Sequence, residues 1–140
     1  MRSLLVFAIL GPCSLLAATF GEVIRLGGTP SDAVLDEARG RIYLVNQAAG
    51  RIDIYTHTAK RVTGSITVGT TPVAAALSLD NRYLYVTNNG SSSLSIIDFD
   101  RGDGVAQTLS LPAQPEGVEV GADGRVLIST QGTNTGTEID

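Results

Sequence analysis

One histidine, one cysteine and no tryptophan in 140 residues leave this chain little reactive chemistry. His57 stands alone between Thr56 and Thr58, so neither a multi-histidine metal centre nor histidine ligation of a haem has the residues it needs. Cys13 lies inside an apolar leader, and a chain that sheds this leader keeps no thiol for a disulfide, a thiolate metal site or a cysteine nucleophile. Ser91, Ser92 and Ser93 lack the G-x-S-x-G setting that activates a serine. Cations are also sparse, with Lys60-Arg61 and the Arg39/Arg41 pair as the densest positive spots. The formal charge is −4, and −5 once Arg2 leaves with the leader, so a phosphate backbone finds no positive field and nucleic acid is excluded as a partner.

The leader has a recognisable order. Arg2 precedes an apolar run from Leu4 to Leu16, followed by Ala17, Ala18 and Thr19. Basic, apolar and small segments in that sequence predict a secretory signal peptide over residues 1–20, cut between about Ala18 and Gly21. The run is shorter than the ~20 residues that span a bilayer, so no stable membrane span is expected after its removal. Pro12 before Cys13, and apolar residues after it, argue against a lipid-modified cysteine. An exported protein follows, whether periplasmic, surface-bound or secreted.

What the sequence has is repetition. Thr29-Pro30, Thr71-Pro72 and Gln114-Pro115 are spaced 42 and 43 residues apart, and sixteen residues after each proline come Asn46, Asn88 and Gln131. Turn residues and an apolar strand lie between them: Asp36 to Arg41 then IYLV, Asp80-Asn81-Arg82 then YLYVT, Ala122 to Arg125 then VLIST. Strand-built units of this length point to propeller blades. The middle unit divides into Val73–Leu79, Tyr83–Asn88, Ser93–Phe99 and Val105–Leu111, separated by the turn signals LDNR, NNGSS and DRGDG. Val62, Gly64, Ile66 and Val68 alternate with Thr63, Ser65 and Thr67, the period-2 pattern of a strand with one wet side. VAAALSL is instead apolar and mostly small throughout. A radial sheet accounts for both, since its innermost strand sits in the crowded taper and its outermost reaches solvent. Pro30-Ser31-Asp32-Ala33 has the caps to start a helix, yet the equivalent PVAAAL lacks them and GVEV alternates, so all three are expected as strands.

Tyr85-Val86-Thr87-Asn88, with its flanks from Thr71 to Asp98, resembles the repeat of the YVTN β-propeller proteins over its whole length. The first unit departs to Tyr43-Leu44-Val45-Asn46 and the third to Ile128-Ser129-Thr130-Gln131. The resemblance covers about residues 22 to 140. It implies an exported bacterial or archaeal propeller, often seven-bladed, of the surface-layer-like, periplasmic and cell-envelope kind. Some members are domains of larger proteins, and similar folds include lactonases and haem-containing reductase domains.

The expected architecture is therefore all-β, with blades of four antiparallel strands. Residues 22–28 are the outermost strand of a preceding blade, 29–70 the first repeat, 71–113 the second, and 114–140 an incomplete third. Closed propellers take about four to eight blades. About two and a half blades predict a piece of a larger propeller, an oligomer that closes the ring, or an open stack, the first being favoured because the chain stops within a repeat. Strand direction places the interblade connections and the loops after the second strands on one face, with Asp32, Asn46, Asn88, Asn89, Glu116 and Gln131 as candidate ligand contacts. Asn at a strand end also serves its own turn, a competing role at each asparagine. Asp98, Asp100 and Asp103 before Gly104 form a weak calcium candidate without the closing bidentate glutamate. With no catalytic constellation and no cofactor implied, the expected function is an exported, non-catalytic scaffold or binding module for a protein, glycan or small ligand. The alternative is part of a lactonase-type or redox enzyme whose active residues lie outside this chain.

Overall fold

The computed structural model describes residues 23, 24 and 26–132, together with the backbone of 137–139. The expected signal peptide lies outside these residues. Among the described residues every regular element is a strand. Three antiparallel sheets follow one another along the chain. Blade 1 contains β1 (Asp32–Asp36), β2 (Arg41–Asn46), β3 (Arg51–Thr56) and β4 (Arg61–Thr67). Blade 2 contains β5 (Pro72–Leu77), β6 (Tyr83–Asn88), β7 (Ser93–Asp98) and β8 (Val105–Ser110). Blade 3 contains β9 (Pro115–Val120), β10 (Val126–Thr130) and β11 (Thr137–Ile139). Each strand pairs with its neighbour in sequence, which is the up-and-down order of a propeller blade. These are β-propeller blades, and the three segments that follow the prolines are all strands.

The sequence period is a structural period. Tyr43 pairs with Ile54 and Asn46 with Arg51 in blade 1; Tyr85 pairs with Ile96 and Asn88 with Ser93 in blade 2. The turn after β2 carries Gly50 at φ 61°, and its counterpart after β6 carries Ser92 at φ 43°. Residues 23, 24 and 26–28 are not in strand. Of the stretch 22–28 expected as an outermost strand, residues 22 and 25 lie outside the described residues.

Burial explains the two sequence textures. The inner part of blade 2 is covered on both faces, so its innermost strand PVAAAL is apolar throughout. Leu84, Val86, Ala75 and Ile97 face blade 1, where they pack with Tyr43, Val45, Ile52, Ile54 and Ile66. Ala76 and Leu94 face blade 3 and pack with Val118, Val126 and Ile128. Alanines at 74 to 76 let the innermost strands approach: β5 touches both β1 and β9. On the outermost strands only Ile66 is fully buried in β4, and in β8 only Leu109 is shielded at all.

Candidate functional site

Propeller geometry gives two faces. The face that carries the interblade linkers also carries the turns after β2 and β6, and the sequence candidates lie along it. Two of them turn inward. Asn88 is fully buried: its Oδ1 accepts from the Gly69 amide at 3.0 Å and its Nδ2 donates to Ser95 Oγ at 3.0 Å. A Cβ on Gly69 would lie 2.6 Å from Asn88 Cγ, so the linker passes against the asparagine without room for any side chain. Asn46 repeats this in blade 1, 4% exposed, with Nδ2 donating to Asp53 Oδ2 at 2.8 Å and Oδ1 accepting from the Ala49 amide. As ligand contacts these two asparagines are corrected. Their amides are consumed in fixing the turn and, at Asn88, the incoming linker, where an unsatisfied buried amide would be costly.

The other four remain near the surface, divided between the two blade junctions. Asp32 opens β1, with Oδ1 accepting from its own neighbour Ala33 at 2.8 Å and Oδ2 from the Ala75 amide of blade 2 at 2.9 Å. Asn89, Glu116 and Gln131 gather where blade 2 meets blade 3. Asn89 Nδ2 donates to the Pro115 carbonyl at 3.0 Å, Thr87 Oγ1 to the Glu116 carbonyl at 3.3 Å, and Gln131 Nε2 to the Glu116 carboxylate in a short bond. Asp32 is thus brought beside blade 2 rather than beside Glu116.

The DRGDG turn is on the opposite face and is not a cation cradle. Arg82 holds Asp98 through two bonds, Nε to Oδ1 at 3.1 Å and Nη2 to Oδ2 at 3.0 Å, and also reaches Asp100 at 3.0 Å. Asp103 pairs instead with Arg41 of blade 1 at 3.0 Å. The Arg82 hydrogen bonds lower the Asp98 pKa from its ordinary value. Among the described residues no three His, Cys, Asp or Glu side chains come together as a metal site. The calcium candidate is therefore corrected: arginines occupy the oxygens that a hard cation would need.

Sequence reasoning missed the cleft. The innermost strands β1, β5 and β9, with part of β10, wall a concave space of about 970 Å³. Its lining is largely small and apolar (Ala33, Ala74, Ala75, Gly117, Val118), with Asp32, Glu119 and Ser129 as polar groups. Among the described residues no lysine or arginine lines it. The VAAALSL run was the available signal, since small side chains in a strand leave room beside it. Also missed were the ties on the face opposite the linkers. Tyr43 stacks on Phe99 with ring centroids 5.1 Å apart, and the Arg39 guanidinium lies 4.7 Å from the Phe99 centroid. Arg39 Nη1 also donates to Asp36 at 3.0 Å and to the Asn81 carbonyl at 2.7 Å. Asp36 is fully buried and accepts from Tyr43 Oη at 3.0 Å. Burial, followed by that hydrogen bond, pushes the Tyr43 phenol well above its ordinary pKa.

Comparison with known proteins supports the fold. Hydrazine synthase of Kuenenia stuttgartiensis superposes with a TM-score of 0.74 at 23% identity, over 86% of this chain and 35% of that one. Virginiamycin B lyase of Staphylococcus aureus gives 0.68 at 17% identity, over 79% and 38%. The Cps50 (Swd1) β-propeller domain of Myceliophteria thermophila gives 0.64 at 12% identity, over 83% and 40%. This chain thus spans well under half the length of each. No family model matches the sequence, and no curated protein matches it.

Proposed function

We propose that this chain is the blade-forming part of an exported, YVTN-type β-propeller that binds a protein, glycan or small ligand without transforming it. The observation that carries this reading is the cleft between the innermost strands. It offers a largely apolar strand wall with Asp32, Glu119 and Ser129 as polar contacts, the usual composition of a recognition site. Export rests on the order of Arg2, the Leu4–Leu16 run and Ala17-Ala18.

The test has two arms. Expression in a bacterial host with an intact export pathway should yield a chain beginning between about Ala18 and Gly21 outside the cytoplasm; an uncleaved cytoplasmic chain overturns the export half. Glycan and peptide arrays probed with the protein should give a specific binder that is lost in Ala33→Arg, which places a long cation in the cleft. Retention of binding in that variant overturns the cleft half.

A second reading makes this chain part of a lactonase-type or redox enzyme whose active residues lie outside these 140 residues. Hydrazine synthase and virginiamycin B lyase share its blade fold, which motivates the reading. Turnover of lactones or of a redox substrate by a longer protein that contains this chain, retained in Asp32→Asn and Glu119→Gln, would replace the binding proposal with this one.

A further inference from the structure

Asn89-Gly90 is the single Asn-Gly pair in the sequence, and packing requires both members. Asn89 supplies the Nδ2 donor that ties blade 2 to the Pro115 carbonyl at 3.0 Å. Gly90 has no room for a side chain, because a Cβ there would lie 2.7 Å from Thr71 Oγ1 and 3.1 Å from the Thr70 carbonyl. The pair is also held by its backbone: the Asn89 amide donates to the Thr71 carbonyl at 2.9 Å and the Gly90 amide to the Thr70 carbonyl at 3.0 Å.

Asn-Gly is the dipeptide in which a backbone nitrogen attacks the preceding side chain with least steric hindrance. The deprotonated Gly90 nitrogen bonds to Asn89 Cγ, the Cγ–Nδ2 bond breaks, and nitrogen leaves as ammonia. Water then opens the succinimide ring to aspartate or isoaspartate. In the folded chain the attacking N–H is engaged by Thr70, and the Asn89 amide is engaged by Pro115. Thr71, whose carbonyl holds the Asn89 amide, sits at φ 54°, a left-handed conformation unfavourable for a β-branched residue. The lock therefore closes on a strained linker.

We propose that Asn89 is a latent deamidation site, gated by opening of the Thr70-Thr71 linker, and that its conversion loosens blade 3 from blade 2. Aspartate has no donor for the Pro115 carbonyl and sets a negative charge against it. The same step adds a charge to the face that carries Glu116 and Asp32. The modification and the loss of the tie are therefore one event.

Peptide mapping by mass spectrometry of the full chain, held in mildly alkaline buffer with and without urea, tests the gate. Conversion at Asn89 should run roughly tenfold or more slower in the folded chain, since only locally opened molecules react; equal rates overturn the gate. Hydrogen exchange tests the consequence. In the deamidated fraction separated from aged protein, and in Asn89→Asp, amides of β9 should exchange roughly fivefold faster or more while those of β2 and β3 keep their rates. Asn89→Ala, which loses the donor without gaining charge, should fall between these and the unmodified chain. Unchanged β9 exchange overturns the loosening, and equal exchange in the alanine and aspartate variants overturns the part assigned to charge.

Discussion

The two blade junctions are built from one repeat and held in different ways. Between blades 1 and 2 the buried cluster contains Tyr43 and eight aliphatic side chains, and further ties sit on both faces. Asp32 reaches the Ala75 amide on the linker face, while Arg39 reaches the Asn81 carbonyl and Arg41 reaches Asp103 on the other. Between blades 2 and 3 the cluster is Ala76, Leu94, Val118, Val126 and Ile128, flanked by half-buried Tyr85. The interblade bonds identified there, Asn89 to Pro115 and Thr87 to Glu116, lie on the linker face. Where blade 1 has Arg39, the later repeats have Asn81 and Gly124, which carry no cation. A repeat thus conserves its pleat and turn geometry internally while the glue between copies varies. The register is local and the glue depends on two blades at once.

Tyr43→Ala should separate the junctions most. It removes a fully buried ring and leaves Asp36 short of a donor, at a cost of about 3–5 kcal/mol. Urea denaturation followed by circular dichroism measures it, and a loss no larger than that of Ala76→Gly would erase the distinction between the two clusters. Arg39→Ala comes next, at about 2 kcal/mol, from two hydrogen bonds and the stack on Phe99. A neutral result in the same denaturation series would show that the tie opposite the linkers contributes nothing.

At the second junction, Asn89→Ala should cost about 1 kcal/mol, the value of one replaceable hydrogen bond. A loss as large as that of Arg39→Ala would invert the ranking. Acid sharpens the comparison within blade 2. The Asp98 pKa is lowered by Arg82, so its contribution is complete above the ordinary carboxylate value of about 3.9 and disappears as pH falls through the folded-state value. Stability measured from neutral to acid pH should therefore fall more steeply for the native chain than for Arg82→Met. Parallel curves would remove the pair from the acid response. The smallest effect is expected at the linker between blades 1 and 2. Thr71→Gly should stabilise by about 0.5 kcal/mol, relief of the left-handed threonine being partly offset by the freer unfolded chain. Destabilisation in thermal melts would mean that the Thr71 side chain contributes more than its conformation costs.

Much of this was legible in order along the chain. The strands Tyr83–Asn88 and Ser93–Asp98 follow from alternation and from NNGSS, because pleat and turn are set by neighbouring residues. The calcium-like spacing of Asp98, Asp100 and Asp103 misled, because Arg41, the partner of Asp103, comes from a different blade. The asparagines misled in the same way. The end of a strand is plain in sequence, but whether its amide faces solvent or a passing linker depends on where Gly69 runs.

The sequence by itself determined the blade: its strands, its turns, its period of 42 to 43 residues and the small innermost strand. These depend on backbone sterics and hydrophobic alternation, which act over a few residues. Only the tertiary structure decided which asparagine is buried, which arginine crosses to the next blade, and that three alanine- and glycine-bearing strands leave a cleft. Such contacts join residues some forty positions apart, and their energies exist only once two sheets lie face to face.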